Sequence, residues 1–82
     1  MPKQSLVTVA ALNGWLTQEL QKDQDCQGCE LAMRYRLRER DADDCNWSQA
    51  SLRLGHDCDV SHVRPVAYAV VARARLLFNV TD

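Results

Sequence analysis

The stretch "DCQGC", residues 25–29, holds two thiols two residues apart, and two more follow at Cys45 and Cys58. Thiols at such spacing hold a metal as thiolates, cycle between thiol and disulfide, or pack as small hydrophobes. His56 and His62 flank Cys58, giving H-x-C-x3-H. C-x2-C followed by C-x3-H is a spacing that zinc sites use, and neutral imidazole and thiolate are ligands zinc prefers. Cys26, Cys29, Cys58 and His62 are therefore the candidate metal set, with zinc as the candidate cofactor. A metal would add stability to so small a core. Cys45 falls outside the set, because an intervening strand of about 30 Å, at ~3.3 Å per residue, separates it from Cys26 and Cys29.

The other thiol readings have their own requirements. Redox chemistry by Cys26 and Cys29 wants the first thiol at a helix N-terminus, which lowers its pKa. Here the pair precedes a predicted strand, and Asp23, Asp25 and Glu30 crowd it; acids raise a thiol pKa. In "GHDCDVSH" a Cys–His nucleophile or a His–Asp base can be drawn. One loop lacks the oriented third group and oxyanion donors of such catalysis, so the expectation is a non-enzyme. The bland role for that loop is to cap the helix after it through Asp59 or Ser61.

A second constellation is cationic. Arg34, Arg36 and Arg38 recur at every second residue, and Arg53 falls on the same face of a second predicted strand. Four guanidinium groups on a flat face could bind phosphates, with Trp47 to stack if it faces outward. Asp41, Asp43 and Asp44 would repel a polyanion, so a protein partner with an acidic surface is the better match. The plain alternative is a solvated face whose Arg stems cover apolar surface.

These residues need elements to carry them. Residues 5–22 read as a helix, with Val9, Leu12, Leu16 and Leu20 at helical spacing and Asn13, Thr17, Gln18 and Gln21 on its other faces. Ser5 or Thr8 is its cap, and a short strand over 5–10 is the rival reading. Gly14 interrupts the helix and marks either close packing or a tolerated defect. Residues 30–38 alternate as a half-buried strand, Leu31, Met33, Tyr35 and Leu37 inward. An Asp-rich turn leads to a second strand over 46–54, with Ser48, Ala50, Leu52 and Leu54 inward. Trp47 is out of phase with that set, which calls for a bulge or an outward ring. The last helix, about 65–79, opens on Pro65 and is apolar over so wide an arc that burial on more than one side is expected.

The predicted fold is α+β in the order α-β-β-α, a two-stranded antiparallel hairpin with two helices packed on one face. Two exposed strand edges and the last helix make a homodimer a further expectation. The 82 residues suit one small domain, and 46% apolar with 26% charged residues excludes a disordered or collagen-like chain. A net charge of −1 carries no basic excess, so nucleic acid is the less favoured partner. No apolar run reaches the roughly 18 residues that cross a bilayer, so no membrane partner is expected. Residues 5–16 read as part of the fold and not as a signal peptide. The cytoplasm is the expected location, where thiols stay reduced. Taken together, the residues describe a small non-catalytic binding module that uses Arg34, Arg36, Arg38 and Arg53. A zinc-stabilised module and a thiol redox protein are the alternatives.

Overall fold

A computed structural model describes residues 4–81. Strand β1 (Ser5–Val7) leads into helix α1 (Val9–Leu20), and a single 3-10 turn (Gln24–Cys26) follows. Strands β2 (Glu30–Arg36) and β3 (Trp47–Arg53) form an antiparallel hairpin; helix α2 (Val60–Leu77) runs directly into strand β4 (Phe78–Val80). The fold is thus α+β. Its two helices and hairpin keep the expected order, and a second, parallel two-stranded sheet joins β1 to β4, Ser5 opposite Phe78 and Val7 opposite Val80.

The core is built from the periodic apolar positions. Leu12, Leu16 and Leu20 of α1 meet Val63, Ala67, Val70 and Ala74 of α2, with Leu31 of β2 and Trp47 of β3 between them. Each fully buried Leu contributes about 1.5–3 kcal/mol over an exposed one. Thr8 caps α1 by accepting a hydrogen bond from the Ala11 N–H at 3.1 Å, so α1 starts later than residue 5. The chain before it is extended instead. Asp59 caps α2 through the Ser61 N–H at 2.9 Å. Pro65 therefore lies in the second turn of α2, where it withholds one N–H from the helical ladder.

Three expectations are revised. First, α2 is buried along one stripe only; Tyr68, Leu76 and Leu77 remain exposed. Secondly, Trp47 is fully buried. No bulge inserts it, because the register stays one-to-one from Glu30 opposite Arg53 to Arg36 opposite Trp47. Instead Gln49 adopts a left-handed backbone, φ 59°, which breaks the alternation and lets the indole turn into the core. Its Nε1–H donates to the Phe78 carbonyl at 3.0 Å, so the ring offers no stacking surface. Thirdly, α1 does more than cover a face of the hairpin. Asn13 Oδ1 accepts from the Met33 N–H at 2.8 Å, Thr17 Oγ1 bonds both backbone groups of Leu31, and Gln21 Nε2 donates to the Cys29 carbonyl at 2.9 Å. One stripe of α1 seals the outer edge of β2.

The turn between β2 and β3 is tied down with equal care. Asp41 accepts the N–H groups of Asp43 (2.9 Å) and Cys45 (3.2 Å), and Arg75 of α2 pairs with Asp41 and Asp43. The Asn46 side chain bonds the N–H (2.9 Å) and the carbonyl (2.8 Å) of Val80. The buried Asn79 side chain answers by accepting from the Asn46 N–H at 2.8 Å and donating to the Asp44 carbonyl at 3.1 Å. This stitching fixes β4, and hence the small parallel sheet, to the hairpin.

Candidate functional site

Three of the four thiols do gather. Cys26 to Cys29 is a tight turn closed by the Cys29 N–H on the Cys26 carbonyl at 3.1 Å. Gln27 (φ −62°, ψ 132°) and Gly28 (φ 83°) give it type II geometry, for which glycine supplies the positive φ. Gly55, just after β3, lies flat on this turn. A Cβ there would stand 2.7 Å from the Gly28 carbonyl carbon. The Gly55 N–H donates to Cys29 Sγ at 3.3 Å, and the Cys58 thiol donates to the Gln27 carbonyl at 3.3 Å beside Cys29. Cys45 sits at the opposite end of the hairpin, its thiol on the Trp47 carbonyl at 3.3 Å.

His62 reaches the thiol end but faces elsewhere. Its Nε2 lies 3.4 Å from an Asp23 oxygen and 3.3 Å from an Asp25 oxygen. Among the described residues, the group whose ligand atoms all lie within 4.8 Å of one another is Asp23, Asp25 and His62, without a thiol. Sequence spacing gave no hint of this trio, because it depends on how α2 seats against the 3-10 turn. Burial pushes the Cys26 thiol up to about 11, helped by Asp23, Cys29, Cys58 and Asp25. A hydrogen bond with Cys29 comes first among the causes that raise Cys58. These thiols are held protonated, the opposite of what activates a nucleophile.

The arginine face is exposed as a surface and partly engaged. Arg34, Arg36, Arg38 and Arg53 are all exposed. Arg53 pairs with Glu30 directly across the ladder at 3.5 Å, and the Arg34 guanidinium lies 5.2 Å from the centroid of the Tyr35 ring. Of the acids in the nearby turn, Asp41 and Asp43 are occupied by Arg75 and Asp44 by Arg40.

A feature that no sequence motif announces lies on the other side of the hairpin. Between β3 and α2 runs a groove of about 730 Å³, lined on one wall by Ala50, Leu52 and Leu54 and on the other by Val60, Ala67, Tyr68 and Val71. That size is within the range of ligand pockets. Leu54, Val60 and Tyr68 are 43%, 40% and 69% exposed, so apolar surface is spent on solvent here. Among the described residues Arg64 is the one charged residue in the lining. Along the same wall the outward backbone groups of Ala50 and Leu52 have no partner among the described residues. One edge of the hairpin is sealed and the other is open beside an apolar groove.

Geometry and topology together define a small α+β domain with an open-edged hairpin. No family model, curated protein or solved structure matches the chain. Among the described residues no helix is long and apolar enough to cross a membrane.

Proposed function

We propose that this chain is a non-catalytic binding module that engages a partner protein along the β3 side of its hairpin. The observation that carries the reading is the contrast between the two edges. Asn13 and Thr17 occupy outward groups of β2 and Gln21 that of Cys29 just before it, whereas Ala50 and Leu52 of β3 have no such cover. Exposed strand edges are normally shortened, charged or covered. This one is bordered by exposed Leu54, Val60 and Tyr68, the composition of a contact surface. The non-catalytic part of this reading is supported by the burial that keeps the Cys26 thiol protonated. Of the arginine face, Arg53 stands nearest this surface, at the end of β3. A protein is favoured over nucleic acid because the Trp47 ring is buried and stacks on nothing outside.

Random-peptide display against the folded domain tests this. Ligands are expected to lose at least tenfold in affinity to Tyr68→Asp, with the melting temperature unchanged because Tyr68 is exposed. Ligands indifferent to Tyr68→Asp but lost with Arg34→Glu and Arg36→Glu would move the contact surface to the arginine face.

Zinc-stabilisation is the second reading, favoured by the meeting of Cys26, Cys29 and Cys58 at one end of the molecule. Zinc there requires His62 to leave Asp23 and Asp25. One zinc per chain by elemental analysis, kept in Cys45→Ala and lost in Cys58→Ala, is the result this reading needs.

A further inference from the structure

Resting on the binding role proposed above, we infer that the occupant of the groove is an extended segment of the partner, added to β3 as a third strand, with apolar side chains inward and acidic side chains outward. The backbone makes the first part of the case. Opposite Met33 and Leu31, whose own backbone groups turn to α1, β3 does not bond β2, and the N–H and C=O groups of Ala50 and Leu52 point away from the hairpin. A helix cannot satisfy a row of alternating donors and acceptors; a strand does so residue by residue. Gln49, with φ 59°, interrupts the ladder. The pairing therefore centres on Ala50 and Leu52, where β3 is regular.

The side chains make the second part. In a pleated strand, successive side chains point to opposite faces. Those of the added strand that follow Ala50 and Leu52 inward enter the groove, against Ala67, Tyr68 and Val71 of α2. Those on the other face lie beside Ser51 and Arg53, with Arg34 on the neighbouring strand.

Charge selects the occupant. Among the described residues no acid lines the groove, Arg64 stands in its wall, and on the outer face of the hairpin Arg34 and Arg53 outnumber Glu30, which pairs with Arg53. A second copy of β3 is a poor fit by the same criterion. Its sequence, WSQASLR, contains an arginine and no acid, so two copies would bring like charges to one sheet.

The test uses the full chain and a synthetic seven-residue peptide alternating Val and Glu. Binding is expected to slow amide exchange at Ala50 and Leu52 and to shift the signals of Tyr68 and Val71. N-methylation of the peptide at the residues facing β3 should weaken binding about tenfold, the worth of a lost hydrogen bond or two. Methylation at the intervening residues should leave it intact. If Tyr68 and Val71 respond but neither set of methyl groups matters, the strand geometry is wrong while the binding surface stands. Equal affinity for a second peptide that alternates Val and Lys overturns the acidic preference. Slow exchange at Ala50 without peptide, with a particle twice the chain mass in sedimentation, makes a second copy the occupant. A peptide that perturbs neither wall of the groove defeats the surface as well as the strand.

Discussion

Thr17 Oγ1 makes two hydrogen bonds with Leu31, donating to its carbonyl at 3.0 Å and accepting from its N–H at 3.1 Å. A side chain here completes a strand edge. The match extends because four residues of helix advance about 6 Å and two residues of strand about 6.6 Å. Asn13, Thr17 and Gln21 therefore keep step with Met33, Leu31 and Cys29.

Thr17→Val keeps the shape of the side chain and deletes both bonds, leaving two partly buried backbone groups unpaired. The expected loss is about 1–3 kcal/mol in urea unfolding. Thr17→Ser should recover most of it. Equal stability of all three proteins would show that water serves this edge as well as α1 does.

The glycines separate into two kinds. Nothing lies within 4 Å of a Cβ placed on Gly14, so the mid-helix glycine is a tolerated defect and not a packing contact. Gly14→Ala should stabilise the domain by up to about 1 kcal/mol. Gly55→Ala should cost about 1–3 kcal/mol, because its Cβ would be 2.7 Å from the backbone of Gly28. Thermal unfolding of the two variants should move in opposite directions.

Thiol reactivity follows burial. Cys58 is half-buried, whereas Cys26, Cys29 and Cys45 are 0% exposed. Mass spectrometry after iodoacetamide at pH 8 should find Cys58 modified first and the others only after unfolding. The Cys26 thiol is raised to about 11, so the folded state holds its proton more tightly than the unfolded chain does. Its contribution to stability is complete below the unfolded value and is lost as pH rises through about 11. Rapid alkylation of Cys26 at neutral pH would contradict this and revive the redox alternative.

Acid acts on the hairpin turn. Burial alone would raise the Asp41 carboxyl, but the N–H groups of Cys45 and Asp43 and the Arg75 guanidinium hold it below the ordinary range. A depressed folded value means the contribution is present above the unfolded value of about 3.9 and lost as pH falls through the folded one. Asp41→Asn should remove that part of the acid dependence. The measurement is urea unfolding from pH 6 down to pH 3, and a slope unchanged in the variant would refute the assignment.

Much of the architecture was legible along the chain, for a local reason. The spacing of Leu12, Leu16 and Leu20, the alternation from Glu30 to Met33 and the cap at Asp59 are each set by residues within a turn or two of one another. The length of β2 likewise keeps Cys45 at the far end of the hairpin from Cys26 and Cys29. The phase of Trp47 was not legible, because it depends on one left-handed residue at Gln49. The β1–β4 pair was missed as well. Each strand has three residues, and they meet only after the whole chain between them has folded.

Residue order by itself determined the α+β class, the main helices and hairpin, and which thiols could share an end of the molecule. Tertiary structure alone decided what those pieces expose. Asn13, Thr17 and Gln21 are merely polar in the sequence, and they become an edge seal only when α1 lies along β2. Ala50 and Leu52 are left open for the complementary reason: α2 stands off β3 by the width of a groove. Backbone groups carry no sequence signature, so which edge is free is a property of packing.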